Sequence, residues 1–171
     1  MKIGRVTLSD RASSGVYTDR SGPEIERVLR EQFAEPVAIE SVLLPDERAQ
    51  IEAALIALCE AGCALVVTTG GTGPTPRDVT PEATRAVVER EIPGLGELMR
   101  AEGLKKTRRA ALSRATAGTL GRTLIVNLPG SPKGALESLD AIVELAPHIV
   151  ELLQGRTAHG PDEERAAQQP E

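Results

Sequence analysis

The residues of this chain that could do chemistry gather in loops that follow apolar runs. Ser9, Asp10, Ser13, Ser14 and Gly15 follow the first run, and Gly70, Gly71, Thr72 and Gly73, with Asp78 close behind, follow another. Asn127, Pro129, Gly130, Ser131 and Lys133 follow a third, and Asp46 stands alone in "LLPDE". Carboxylates, hydroxyls and glycine-rich turns suit the binding of a cation and of phosphate, because backbone N–H groups at a helix start hold anions with help from the helix dipole. Other chemistry is poorly supplied. Of the two histidines, His148 falls inside the last predicted helix and His159 in the tail, so a histidine triad lacks its base. Cys59 and Cys63 have no basic neighbour to make a thiolate, and no second Cys or His pair completes a zinc site.

Each candidate also has a purely structural reading. Gly71-Thr72-Gly73 begins a dinucleotide fingerprint, but Pro76 stands where the third glycine belongs, and no P-loop signature occurs. On spacing alone the turn fits a tight reversal as well as a phosphate cradle. Asp46 could cap the helix that follows it. Asp78 has no such duty, since Thr80 is the better cap. Asp10 could pair with its neighbour Arg11. Lys133 lies in the first turn of a helix, where a cation opposes the dipole; a bound anion would account for it, and so would full solvation.

The elements that position these loops follow from the hydrophobic pattern. Ile3 to Leu8, Val37 to Leu44, Ala64 to Thr68 and Thr123 to Leu128 read as strands. The third of these is a continuous apolar run between helices, as expected of a strand buried on both faces. Helices are predicted from a capping box at Ser21 to about Phe33, from Asp46 to Gly62, and from Thr80 to about Arg90. Two short helical pieces follow in "IPGLGELMRAEG" and "LKKTRRAALSRA". Ser131 and Pro132 start a helix to about Leu145, and Pro147 opens a last one ending at Gly155. Alternating strands and helices indicate an α/β fold, a three-layer αβα sandwich on a mainly parallel sheet. Ala115 to Gly121 could add one short antiparallel edge strand. Residues 1–155 form one domain, and 156–171, polar and aperiodic, form a loose tail.

Composition sets the outer limits. A chain of 171 residues and 18.1 kDa buries about 70% of its unfolded surface and needs no disulfide or metal to fold. A net charge of -5 argues against a nucleic-acid surface, and one Phe and one Tyr supply no stacking platform. The amino terminus reads directly as a strand, and no apolar run approaches the roughly 20 residues of a membrane span. A cytoplasmic, reducing location is therefore expected, with two free thiols.

Five blocks in this order, "SDRASSGVYTDRSG", "LLPDE", "TTGGTGPTPRDVTPEAT", "ALSRATAG" and "IVNLPGSPK", resemble the molybdopterin adenylyltransferase family, over about residues 3–155. That family includes a bacterial enzyme and the G domains of plant and animal molybdenum-cofactor proteins. The resemblance implies adenylyl transfer from MgATP to molybdopterin, releasing pyrophosphate, by a homotrimer that hands its product to a molybdenum-insertion protein. It implies that Asp46 and Asp78 are the catalytic, magnesium-holding pair, with Asp78 on the ATP phosphates and Asp46 on magnesium or the pterin side. Gly70, Gly71, Thr72 and Gly73 would then hold nucleotide phosphates. Asn127, Pro129, Gly130, Ser131 and Lys133 would form the opposing wall, and Ser9, Asp10, Ser13, Ser14 and Gly15 a rim near the pterin. Thr116 to Thr123 is shorter than in some members, and the tail is unmatched. Two other readings stand beside this one: a non-catalytic pterin-binding or scaffold protein, and a nucleotide pyrophosphatase of a competence-associated family with a related loop. Intact Asp46, Asp78 and "GGTG" favour the enzyme over the first, and "NLPGSPK" favours it over the second.

Overall fold

The structure, a computed structural model, describes residues 1–16, 21–33 and 35–156. Its elements run β1 (Lys2–Leu8), α1 (Asp10–Ser13), α2 (Ser21–Gln32), β2 (Ala38–Leu44), α3 (Arg48–Glu60), β3 (Leu65–Thr69), α4 (Thr80–Val87), β4 (Arg90–Glu91), α5 (Pro93–Leu104), a 3-10 turn (Arg108–Leu112), β5 (Ala117–Leu120), β6 (Thr123–Leu128), α6 (Pro132–Asp140) and α7 (Leu145–Leu153). Among the described residues these strands form one six-stranded sheet in the order β2-β1-β3-β6-β5-β4. β2, β1, β3 and β6 run parallel, and β5 and β4 continue the sheet antiparallel.

The apolar runs occupy the centre because both of their faces are covered. Every residue of β3 and β6 is buried, whereas β2 at the edge alternates exposed and half-buried positions. Strand alternation sends successive side chains to opposite faces. Leu65, Val67, Leu124 and Val126 meet Ile25 and Leu29 of α2, Met99 of α5, Leu139 of α6 and Val150 of α7. Val66 and Ile125, one position out of phase, meet Ile51, Leu55 and Leu58 of α3 and Ala83 of α4. The result is the expected three-layer arrangement.

Several local expectations are corrected. The helix expected to reach Arg90 stops at Val87, because Val88 turns extended (φ -73, ψ 142) and the Glu89 and Ile92 amides donate to Thr119 and Ala117 carbonyls. That makes β4, a strand with no apolar signature, and leaves β5 second from the edge rather than at it. The loop after β1 contains the one-turn helix α1, held by Ser9 Oγ accepting the Ala12 N–H. Asp46 does not cap α3: Glu47 occupies the cap position without a side-chain bond. Pro147 lies inside α7, which begins at Leu145, and α6 ends at Asp140. The tail expected over 156–171 lies, beyond Arg156, outside the described residues. Cys59 and Cys63 are free thiols, half-buried and buried, and burial pushes both upward in pKa. No described helix is long and apolar enough to cross a membrane.

The parallel strands end in a crowded junction. Gly70 has φ +108, and a Cβ built there would lie 2.1 Å from the Leu8 carbonyl oxygen of β1. Its N–H donates to Leu128 O of β6 at 3.1 Å, and its carbonyl accepts from Thr80 Oγ1 of α4 at 2.9 Å. Gly121 shares a positive φ (+56) but has open space beside it. Gly121→Ala should therefore carry only the left-handed backbone cost, about 1–2 kcal/mol. Gly70→Ala adds a collision with backbone and should cost about 2–5 kcal/mol. Urea unfolding of the two variants checks the difference, which crowding predicts and φ alone does not.

Candidate functional site

In an open α/β sheet, ligands bind beyond the carboxyl ends of the strands where the chain's winding reverses. Here the chain passes from β1 outward to β2 and then back across to β3, so the crevice falls between the loops after β1 and β3. Two clefts open there. A smaller one, about 180 Å³, is walled by Ser9, Asp46, Thr69 and Gly70. A larger one, about 370 Å³, is lined by Thr72, Gly73 and Asp78, by Ser131, and by Met99, Arg109 and Leu112. Gly71 and Gly130 line both clefts, which therefore meet at that glycine pair. Gly130 comes close to the loop because it lacks a side chain: a Cβ there would sit 3.2 Å from Gly70 Cα.

Asp46 reaches the junction from the turn before α3. Its Oδ2 accepts the Asp10 N–H at 3.1 Å, and its own N–H donates to Asp10 Oδ1 at 3.0 Å. Its other oxygen, Oδ1, is buried and has no hydrogen-bond partner. That oxygen lies over Gly71, 2.9 Å from where a Cβ would be. Burial raises the Asp46 carboxyl above the ordinary value, and the Asp10 and Asp78 charges add to the rise against opposing contributions from the Asp10 amide and Arg77. An orphaned, half-buried carboxylate oxygen of this kind is costly unless a cation or donor joins it.

Asp78 approaches from the other side of the loop. Its Oδ2 accepts from Thr75 N at 2.9 Å and Thr75 Oγ1 at 2.6 Å, and lies 2.9 Å from a Cβ built on Gly73. Burial alone would raise its pKa, but the Thr75 hydroxyl and amide, the Gly73 amide and the Arg114 charge outweigh burial and hold it below the ordinary carboxylate value. Asp78 is thus kept ionised, at the edge of the larger cleft.

The remaining sequence candidates divide. Ser9 lines the smaller cleft, and Ser131 lines the larger one while capping α6 through the Gly134 N–H at 3.2 Å. Thr72, Gly73, Pro129 and Gly130 also line the larger cleft. Asn127 is fully buried, donating to Thr68 Oγ1 and Thr84 Oγ1 and so tying β6 to β3 and α4, while its Oδ1 has no hydrogen-bond partner. Lys133 is 87% exposed and 4.0 Å from Glu137, as full solvation of the side chain would have it. Ser13, Ser14 and Gly15 lie exposed on the turn out of α1. Asp10 receives a two-pronged ion pair from Arg77, 67 residues further on, which also reaches Glu47 at 2.9 Å. Arg77 and Arg114 carried no assigned role in the sequence reading. Both lie within the motif blocks, but what they contact depends on the fold.

Chemically, two carboxylates of unlike character face one glycine loop. No group of three or more His, Cys, Asp or Glu side chains that could hold a metal occurs among the described residues. Two aspartates, one with an unpartnered buried oxygen, nevertheless suit magnesium, which keeps several waters and takes only one or two protein carboxylates beside substrate phosphates. Carboxylates, a glycine loop and a helix N-terminus brought together in this way could hold phosphate-bearing groups without a side-chain nucleophile.

Comparison with known proteins gives the same picture. Residues 4–148 match the family described as "Probable molybdopterin binding domain". The molybdopterin adenylyltransferase of Helicobacter pylori is 49% identical over 154 residues, 90% of this chain and 88% of that one. The molybdopterin adenylyltransferase of Escherichia coli is 47% identical over 88% of this chain and 77% of its own. Among solved structures, the molybdopterin biosynthesis enzyme MoaB of Thermus thermophilus superposes with a TM-score of 0.82 at 47% identity, covering 90% of this chain and 96% of that one. A family match over residues 4–148, with identity at this level over nearly the whole chain, settles the relationship: the chain belongs to the molybdopterin adenylyltransferase family.

Proposed function

We infer that this chain is a molybdopterin adenylyltransferase: it joins the adenylyl group of ATP to the terminal phosphate of molybdopterin and releases pyrophosphate, a step of molybdenum cofactor biosynthesis. The observation that carries the site assignment is the pair Asp46 and Asp78 on the two sides of one glycine loop, where two clefts meet. A phosphate oxygen of the pterin attacks the α-phosphorus of ATP; the new O–P bond forms as the bond to the β-phosphate oxygen breaks. The substrate brings its own nucleophile, so the protein must align the reactants and offset charge.

The chain's residues divide that work. The Gly70 N–H is held by Leu128 and the Gly73 N–H by Asp78, so we assign the Gly71 and Thr72 amides to the phosphates. The positive end of α6, capped by Ser131, lines the same cleft. Asp46 and Asp78 would hold magnesium, which supplies charge neutralisation on the triphosphate when bound. Met99 and Leu112 give the larger cleft an apolar wall suited to a flat ring, and Ser9 gives the smaller one a polar rim. A cytoplasmic setting accords with the two free thiols. A downstream molybdenum-insertion partner is part of the same proposal.

Asp78→Asn tests the charge. Asparagine keeps an acceptor for Thr75 but carries no charge, so the fold should hold to within about 1–2 kcal/mol. Adenylyl transfer should fall by roughly 100-fold or more, the scale of losing one transition-state electrostatic contact. Incubation with molybdopterin, ATP and magnesium, followed by detection of adenylylated pterin and pyrophosphate, decides it. Near-parental turnover would return Asp78 to a structural role.

Asp46 gives a pH-dependent expectation. Its folded pKa is raised, so the folded protein favours the neutral acid: this contributes stability at low pH that is lost as pH rises through the folded value. Asp46→Asn removes the buried charge. In chelator, the variant should melt at or above the parent near pH 7, and its advantage should shrink as acid protonates the parent. Thermal melts across pH read this; a variant less stable at pH 7 than at pH 4, relative to the parent, contradicts it.

We also propose a homotrimer, from family membership. Light scattering at micromolar concentration should return three times 18.1 kDa, and a clean monomer would remove the proposal.

A further inference from the structure

Arg114 sits behind the glycine loop, outside the substrate cleft. It lines a neighbouring cleft with Arg85, Arg100 and Thr116, which shares Arg100 and Ser113 with the larger cleft. From there it reaches over 30 or 40 residues of sequence to three carbonyl oxygens. Its backbone N–H donates to Thr72 O at 2.9 Å, Nε donates to Gly73 O at 2.7 Å, and Nη2 donates to Asp78 O at 2.5 Å. The remaining face of the guanidinium binds the Glu82 carboxylate in the first turn of α4.

Peptide geometry turns these bonds into a constraint on the front of the loop. In a planar trans peptide the C=O and the following N–H point in opposite directions. With Thr72 O drawn back to the Arg114 backbone N–H, a bond any residue at this position would keep, the Gly73 N–H faces the Asp78 carboxylate, and the guanidinium adds its own hold on the Gly73 and Asp78 carbonyls. Drawing back Asp78 O likewise fixes the peptide that leads into α4. A guanidinium places several donors in one rigid plane, which a lysine ammonium cannot do. The competing reading is an ordinary half-exposed ion pair with Glu82, which would contribute little.

We propose that Arg114 is a positioning residue of this site: its guanidinium clamps the Gly73 and Asp78 carbonyls from behind and so sets where that half of the loop and the Asp78 carboxylate stand against the nucleotide. The proposal rests on the adenylyltransferase reading for what is positioned, while the clamp itself is a property of the fold.

The test uses the full chain with R114Q, R114K, R114G and E82Q. Steady-state adenylylation should show kcat reduced about 10- to 100-fold in R114Q, as expected for loosening groups that align reactants, with KM for ATP raised. The dissociation constant for molybdopterin should change less than about twofold, the melting temperature should stay near the parent's, and R114K should fall nearly as far as R114Q. Guanidinium added at non-denaturing concentration should restore part of the R114G rate. E82Q, which keeps all three carbonyl bonds, should lose much less. Amide hydrogen exchange across residues 70–79 should accelerate in R114Q. A folded R114Q with parental kcat, KM and exchange overturns the proposal, as does E82Q matching R114Q. Were R114Q unable to fold, R114K decides by the same readings. Were the parent unable to adenylylate molybdopterin, the proposed function would fail, and loop exchange with binding of a non-hydrolysable ATP analogue would still judge the clamp.

Discussion

The contact on which this structure turns is the approach of β3's exit to the Leu8 carbonyl of β1. Gly70 passes so close to that oxygen that any side chain would collide with it. The same residue takes a hydrogen bond from α4 and gives one to β6, so the ends of three parallel strands and the head of a helix meet at one backbone position. Close approach of this kind lets the loops after those strands share a site instead of standing apart. Gly71 and Gly130 extend the same logic outward, since both lack the side chain that would wall one cleft off from the other.

Around this junction the charges are arranged in two bracketed sets. Arg77 holds Asp10 and Glu47 on the outer side of the smaller cleft, and Asp10 in turn exchanges hydrogen bonds with Asp46. Arg114 holds Glu82 and the backbone around Asp78 behind the larger one. Asp46 and Asp78 consequently differ in character. Asp78 is surrounded by donors that keep it ionised, whereas Asp46 retains a buried oxygen with no donor at all. An asymmetric pair of this kind suits a cation shared between a carboxylate already fixed by donors and one whose buried oxygen has none. No residue needs to be nucleophile or base, which agrees with the absence of a histidine from the cleft linings and with thiols left unpaired in the body of the fold.

Much of this was legible in the sequence. Continuous apolar runs at β3 and β6 announced strands covered on both faces, and the helices between them announced the parallel sheet. Glycine, serine and threonine clustered after those runs marked the right loops, and five motif blocks identified the family. Other local signals allow two outcomes, and only the fold chooses between them. Asp46 was a plausible cap, yet its carboxylate turns to Asp10 and Gly71. Asn127 and Lys133 sat beside true cleft residues but point inward and outward respectively, because a strand alternates its faces and a helix rotates its residues away. β4 carried no apolar alternation to announce it, since its two exposed edge residues are held by backbone pairing to β5 and by the Arg85–Glu91 ion pair.

The sequence by itself determined the fold class, the family and the chemical inventory, because hydrophobic periodicity and local turn chemistry are properties of neighbouring residues. Only the tertiary structure decided which members of that inventory meet. The Arg77–Asp10 pair spans 67 residues and the Arg114–Gly73 bond spans 41, distances over which no local rule operates. Those contacts exist because the sheet places the ends of β1, β3 and β6 side by side and leaves no room for a side chain between them.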